Sequence, residues 1–168
     1  MHEHALKKLS PGELDSAVEK AVLYRALNQP EEAESICQDV LAVDAKHQNA
    51  LRVLGLAVTD RFDEVAVGLF EEAMGAFGKL ENEYDRVYHE GVAWERLGKA
   101  HLRRGEGHGA LTAIEHALEH YEKAEKIAPP NNPDPILRFN RCVRLLQSHR
   151  VLHEAFDAPH SRVPNLGD

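Results

Sequence analysis

The chain has 168 residues, and its 20 Lys and Arg stand against 28 Asp and Glu, for a formal charge of −8. Nucleic acid and anionic membranes are held by basic surfaces, so this balance excludes both as expected partners. Charged residues make up 29% and aromatic residues only 6%, which suits a helix-rich fold with one sizeable core.

Residues 1–10 read as an N-terminal arm. The first nine hold no apolar run of leader-peptide length, and no apolar stretch of about 18 residues follows, so a cytoplasmic location is the default expectation. Ser10-Pro11-Gly12-Glu13 is a helix opening, with a hydroxyl cap, a proline in the first turn and Glu three residues on. The helix it opens is expected to reach about Asn28, with Leu14, Val18, Ala21, Val22 and Arg25 on successive turns. Pro30 with Glu31 and Glu32 starts a second helix that ends near Asp44. Its apolar stripe is Ala33, Ile36, Cys37, Val40 and Leu41.

A third helix over residues 48–60 places Leu51, Leu54, Gly55 and Val58 on one side. A fourth is expected to start at Asp63 as its N-cap and to carry Ala66, Leu69, Phe70, Ala73 and Phe77. Residues 83–104 read as one long helix with Val87, Gly91, Trp94, Leu97, Gly98 and His101 near one face. Glycines at 105, 107 and 109 predict a turn before a sixth helix over residues 110–127. That helix turns Ala110, Ile114, Ala117, Leu118, Tyr121 and Ala124 inward. Prolines at 129, 130 and 133 end it. A last helix over residues 134–148 or beyond is expected to bury Ile136, Phe139, Val143 and Leu146. The tail, residues 151–168, is expected to fray. Cys37 and Cys142 lie among apolar residues without paired spacing, so two buried free thiols are expected.

The elements repeat. Ala17, Ala21 and Tyr24 stand 34 residues before Leu51, Gly55 and Val58, and the trio returns 43 residues later as Trp94, Gly98 and His101. A period of about 34 residues made of two amphipathic helices is the mark of a stacked helical solenoid. These residues resemble tetratricopeptide repeats, of the small bacterial type. The second repeat supplies Leu51, Leu54-Gly55, Val58, Ala66, Phe70 and Ala73. The third supplies Trp94, Leu97-Gly98, His101, Ala110, Ile114, Tyr121, Ala124 and Pro129, and the first Ala21, Tyr24, Ala33 and Val40.

The resemblance implies an all-α right-handed superhelix of about seven antiparallel helices. Its repeats would cover residues 13–46, 47–80 and 83–130 within a domain of residues 11–150, closed by a capping helix over residues 134–150. It also implies a non-catalytic module whose concave groove receives a peptide or helix of another protein. The groove positions are Asn49, Arg52, Val53 and Leu56, then Val92, Glu95, Arg96 and Lys99. Partner contacts are expected from Arg52, Leu56, Glu95, Arg96, Lys99 and Arg103. The Lys-Asn pairing of the family's carboxylate clamp is absent.

Arg138, Arg141 and Arg144 add a basic strip on the last helix that would attract an acidic segment in a salt-sensitive way. By helical spacing this strip lies clear of the apolar face. His116-Ala117-Leu118-Glu119-His120 also spells a string found in zinc peptidases, so the alternative is a metal-dependent hydrolase using His116, Glu119 and His120. Helical spacing turns both histidines away from the stack, which makes a solvated face the preferred reading. His149 and His153 form a second such pair. His101 is expected to be a packed ring, and His47 an exposed one. No cofactor is expected, and self-association is a third possibility.

Overall fold

The computed structural model describes residues 4–64, 68–150, 152 and 154. A 3₁₀ turn, Pro11–Glu13, leads into seven α-helices, and no strand occurs among the described residues. They are α1 (Leu14–Ala26), α2 (Pro30–Val43), α3 (Gln48–Asp60), α4 (Leu69–Phe77), α5 (Glu83–Arg103), α6 (Gly107–Ile127) and α7 (Asp134–Ser148). No helix among the described residues is long and apolar enough to cross a membrane.

The helix ends follow from local chemistry. Before α1, the Glu13 carboxylate accepts from the Ser10 N–H at 2.7 Å and the Ser10 hydroxyl at 2.8 Å. These bonds hold Glu13 below the usual carboxylate pKa. The end of α1 is closed by Asn28 in the left-handed region (φ 59°), with the Gln29 N–H donating to the Tyr24 carbonyl at 2.9 Å. Gly105 (φ 75°) ends α5 in the same way, the Glu106 N–H reaching the His101 carbonyl at 2.9 Å. At the start of α5, the Asn82 side chain accepts from the Asp85 N–H at 3.0 Å.

Each helix packs on the next, and α3 also touches α1 and α5. Three apolar clusters result. Val18, Ala21, Cys37, Val40 and Val53 join α1, α2 and α3. Leu51, Val58, Phe77 and Ala93 join α3, α4 and α5. Val92, Ile114, Tyr121, Cys142 and Leu145 join α5, α6 and α7. Helices α3 and α5 therefore each serve two neighbouring cores from two faces.

The small residues set how closely the helices approach. A Cβ at Gly55 would sit 2.3 Å from the Phe77 ring, and one at Gly98 would sit 2.7 Å from Ile114 Cδ1. Both glycines are therefore seats for a large side chain of the following helix.

Several expectations require correction. Val22 is 49% exposed, because no other helix among the described residues covers that side of α1. Val53 is core, not groove, since it faces α1 and α2. Asp63 does not cap α4, which starts at Leu69 after Gly68 in the left-handed region (φ 93°). Ala66 lies outside the described residues. The sixth helix begins at Gly107, three residues earlier than the glycine density suggests. On α7 the buried positions are Pro135, Cys142 and Leu145, while Ile136 is 45% exposed. The inward face of α7 is thus rotated from the expected one, and Arg138 moves toward the stack. Both cysteines are buried free thiols, with pKa values pushed up by burial to about 12.

Candidate functional site

Arg96, Lys99 and Arg103 stand at i, i+3 and i+7 on α5, a spacing that puts three cations on one helix face. The C-terminal turn of α3 brings Thr59 and Asp60 to this face, and α7 brings Arg138. Together they line a depression of about 260 Å³.

Arg96 fixes the floor on the α3 side. One terminal nitrogen donates to the Leu56 carbonyl at 3.1 Å, to the Thr59 hydroxyl at 2.5 Å and to Asp60 Oδ1. A cation beside the last carbonyls of a helix is favoured by the helix dipole. The other Asp60 oxygen accepts from Arg25 Nε at 2.5 Å, so one carboxylate ties α1, α3 and α5 together. Burial lowers the pKa of Arg96, and the charge of Asp60 acts against that shift.

Beneath the α7 side lies Glu95, with 0% of its surface exposed. It accepts from Lys99 Nζ and from the Tyr121 hydroxyl at 2.7 Å, and Arg138 approaches both its oxygens at 3.4 Å. Burial alone would raise its pKa, but the bonds from Lys99 and Tyr121 and the charges of Lys99 and Arg138 outweigh it. The carboxyl is held below its ordinary value. Burial opposes the charge of Arg138, and Glu95 reverses that and raises its pKa. Burial, with the Glu95 charge and bond, holds the Tyr121 hydroxyl well above its usual range.

At the open edge, Arg103 Nε meets Asp63 Oδ1 at 2.5 Å, with side chains 55% and 59% exposed. A second depression, of about 490 Å³, shares Asp60 and is lined also by Asp63, Glu31, Glu32, Arg61 and Glu64. Arg61 pairs there with Glu64 at 2.9 Å and with the largely buried Glu34 at 2.8 Å.

Of the expected partner-binding residues, Arg96, Lys99, Arg103 and Arg138 line the smaller depression, and Leu56 contributes its carbonyl to Arg96. Glu95 is not a surface contact: it is the buried counter-charge of the cations above it. Arg138 is not clear of the packed face, because the rotation of α7 aims it at Glu95. Arg52 donates to Asn49 Oδ1 at 2.9 Å and does not line the depression, and Arg141 is exposed elsewhere on α7.

Sequence reasoning missed Asp60, Thr59, Asp63 and Tyr121 as members of the group. One signal was present: Arg25 and Asp60 stand 35 residues apart, close to the repeat period.

His47, His101, His116 and His120 have structural partners. His120 does not point away from the stack. Its Nδ1 bonds the His116 carbonyl at 2.8 Å, and its Nε2 lies 3.6 Å from Glu90 on α5, which raises its pKa. The His116 ring lies against Trp94, with ring centroids 4.4 Å apart. No group of three or more His, Cys, Asp and Glu side chains among the described residues is placed to hold a metal. His153 lies outside the described residues, so the His149–His153 pair is not described. His47 is only 14% exposed: its Nδ1 accepts from the Ala50 N–H at 3.2 Å, capping α3, and its Nε2 meets Asp15 at 3.2 Å. His101 is packed as expected, with its ring about 3.0 Å from where a Cβ on Gly109 would stand.

No protein-family model matches the chain, and no curated protein is significantly similar to it.

Proposed function

We propose that this chain is a non-catalytic protein-interaction module of the tetratricopeptide-repeat kind, and that its groove takes an acidic segment of a partner protein. Three features support the repeat reading. The helices pair in chain order, α3 contacts both α1 and α5, and Gly55 and Gly98 seat large side chains of the helices that follow them. The observation that carries the function is the convergence of Arg96, Lys99, Arg103 and Arg138 on one small depression in a chain whose net charge is −8. A local positive field on an acidic protein attracts an acidic segment while repelling most acidic surfaces, which favours selectivity over raw affinity.

The test is selection of binding peptides from a displayed random library, followed by anisotropy titration of the selected sequences. Acidic sequences are expected, with affinity falling as salt rises. Arg103→Glu reverses the most exposed charge of the depression and is expected to weaken binding about tenfold, or about 1.4 kcal/mol. Selected peptides without acidic residues, or binding indifferent to both salt and Arg103→Glu, would place the contact on another surface.

A further inference from the structure

The charges around the smaller depression do not balance. Five cations take part in its three ion-paired sets: Arg25, Arg96, Lys99, Arg103 and Arg138. Three carboxylates oppose them: Asp60, Asp63 and Glu95. An excess of two positive charges remains, one at Asp60, shared by Arg25 and Arg96, and one at Glu95, shared by Lys99 and Arg138. Asp60 is satisfied on both oxygens by Arg25 and Arg96. Glu95 is shared by Lys99 and Arg138, and Arg138 stays 3.4 Å from either oxygen, longer than a good charge-assisted bond. Arg103 uses only Nε, so its two terminal nitrogens make no bond among the described residues. The donors with capacity to spare are therefore those of Lys99, Arg103 and Arg138, all facing the same 260 Å³ space.

That space is small. Pockets for drug-sized molecules and cofactors start at about 300 Å³, so this one suits a single side-chain-sized group. Once the exposed Asp63 gives way, Lys99, Arg103 and Arg138 stand over Glu95 alone, a surplus of two that a lone carboxylate would only half cancel. A phosphate monoester carries about −1.5 to −2 at neutral pH and presents three acceptor oxygens, enough for an ammonium and two guanidinium groups at once.

We propose that the depression is a phosphate-monoester site, and that the anchoring group of the partner segment is a phosphorylated serine or threonine side chain. The assignment rests on the groove reading above and narrows it. Arg96 and Glu95 act as the frame: Arg96 neutralises Asp60 and holds the end of α3, and Glu95 keeps Lys99 and Arg138 aimed at the opening. Arg103 is the edge contact, exchanging the exposed Asp63 carboxylate for the phosphate.

The experiment uses the full chain, inorganic phosphate and three forms of one selected peptide, with serine, glutamate or phosphoserine at the anchoring position. Phosphate is titrated at constant ionic strength against acetate while the arginine Nε–H resonances are followed by NMR. Saturable shifts at Arg103 and Arg138 with phosphate, and none with acetate, are expected. Phosphoserine peptide is expected to bind at least tenfold tighter than its glutamate form, and Arg103→Ala, which leaves Asp63 free, is expected to reduce that ratio severalfold. Circular dichroism confirms that this variant is folded.

Equal affinity for the phosphoserine and glutamate forms would overturn the phosphate assignment and leave the acidic-groove reading standing. Failure of all three peptide forms to bind would overturn both. Saturable inorganic phosphate with phosphoserine peptide no tighter than the serine form would mark a site for a small anion, and would also overturn the proposal.

Discussion

Two ion-paired centres border the same depression and use the same residue types, yet they differ in what holds them. Glu95 is fully buried and has three partners, drawn from α5, α6 and α7. Asp63 is 59% exposed and has one ion-pair partner among the described residues, Arg103, itself 55% exposed. The first is a closed group in which the carboxylate has lost its water and depends on its neighbours. The second keeps its water, and a surface pair of that kind contributes about 0–1 kcal/mol. Burial, not charge, separates the frame of this site from the part that can exchange partners.

The sharpest way to break the comparison is Glu95→Ala. It leaves Lys99, Arg138 and the Tyr121 hydroxyl facing a gap, and removing one partner of a buried ionic group costs about 3 kcal/mol. Urea unfolding should report that loss, and a loss no larger than that of an exposed-pair variant would show that water reaches Glu95.

Acid tests the same group by titration. Because the carboxyl of Glu95 is depressed below its ordinary 4.5, its stabilisation is complete above that value and is lost as pH falls through the lower folded-state value. The wild type should lose more stability between about pH 7 and pH 3 than Glu95→Gln, whose side chain does not titrate. Parallel losses in the two proteins would assign acid sensitivity to other carboxylates.

Gly98→Ala asks whether the close approach of α5 and α6 supports the buried centre. Its Cβ would stand 2.7 Å from Ile114 Cδ1 and 3.3 Å from the Ala110 carbonyl oxygen. Overpacking of this kind costs about 1–3 kcal/mol, visible as a lower melting temperature. At the other extreme, Arg103→Ala should change unfolding free energy by less than about 0.5 kcal/mol. Stability and the proposed peptide binding would then be separable at one depression.

Much of the scaffold was readable without coordinates. The third helix was expected at residues 48–60 and lies at Gln48–Asp60, since its apolar spacing and flanking polar residues agree. The long fifth helix was expected because residues 83–104 contain no proline, and it is continuous over Glu83–Arg103. The start of α4 was not readable, because Asp63 is a good local cap but the chain instead turns through Gly68. The groove cations could be named from their spacing on α5, but their pairings could not. Arg96 reaches Thr59 across 37 positions of sequence, and Arg138 reaches Glu95 across 43.

The sequence by itself determined the periodic apolar faces and the helix stops at glycine and proline, because each depends on neighbours within a turn or two, and the repeat spacing marked the small residues at 55 and 98. Only the tertiary structure decided that Glu95 is interior and that Arg138 looks inward. Those outcomes depend on the angle at which α7 settles over α5 and α6, and that angle is set by how Cys142 and Leu145 fit against Val92, Ile114 and Tyr121. A helix period fixes which residues share a face. Packing against a distant segment fixes which way that face turns, and with it which charges keep their water.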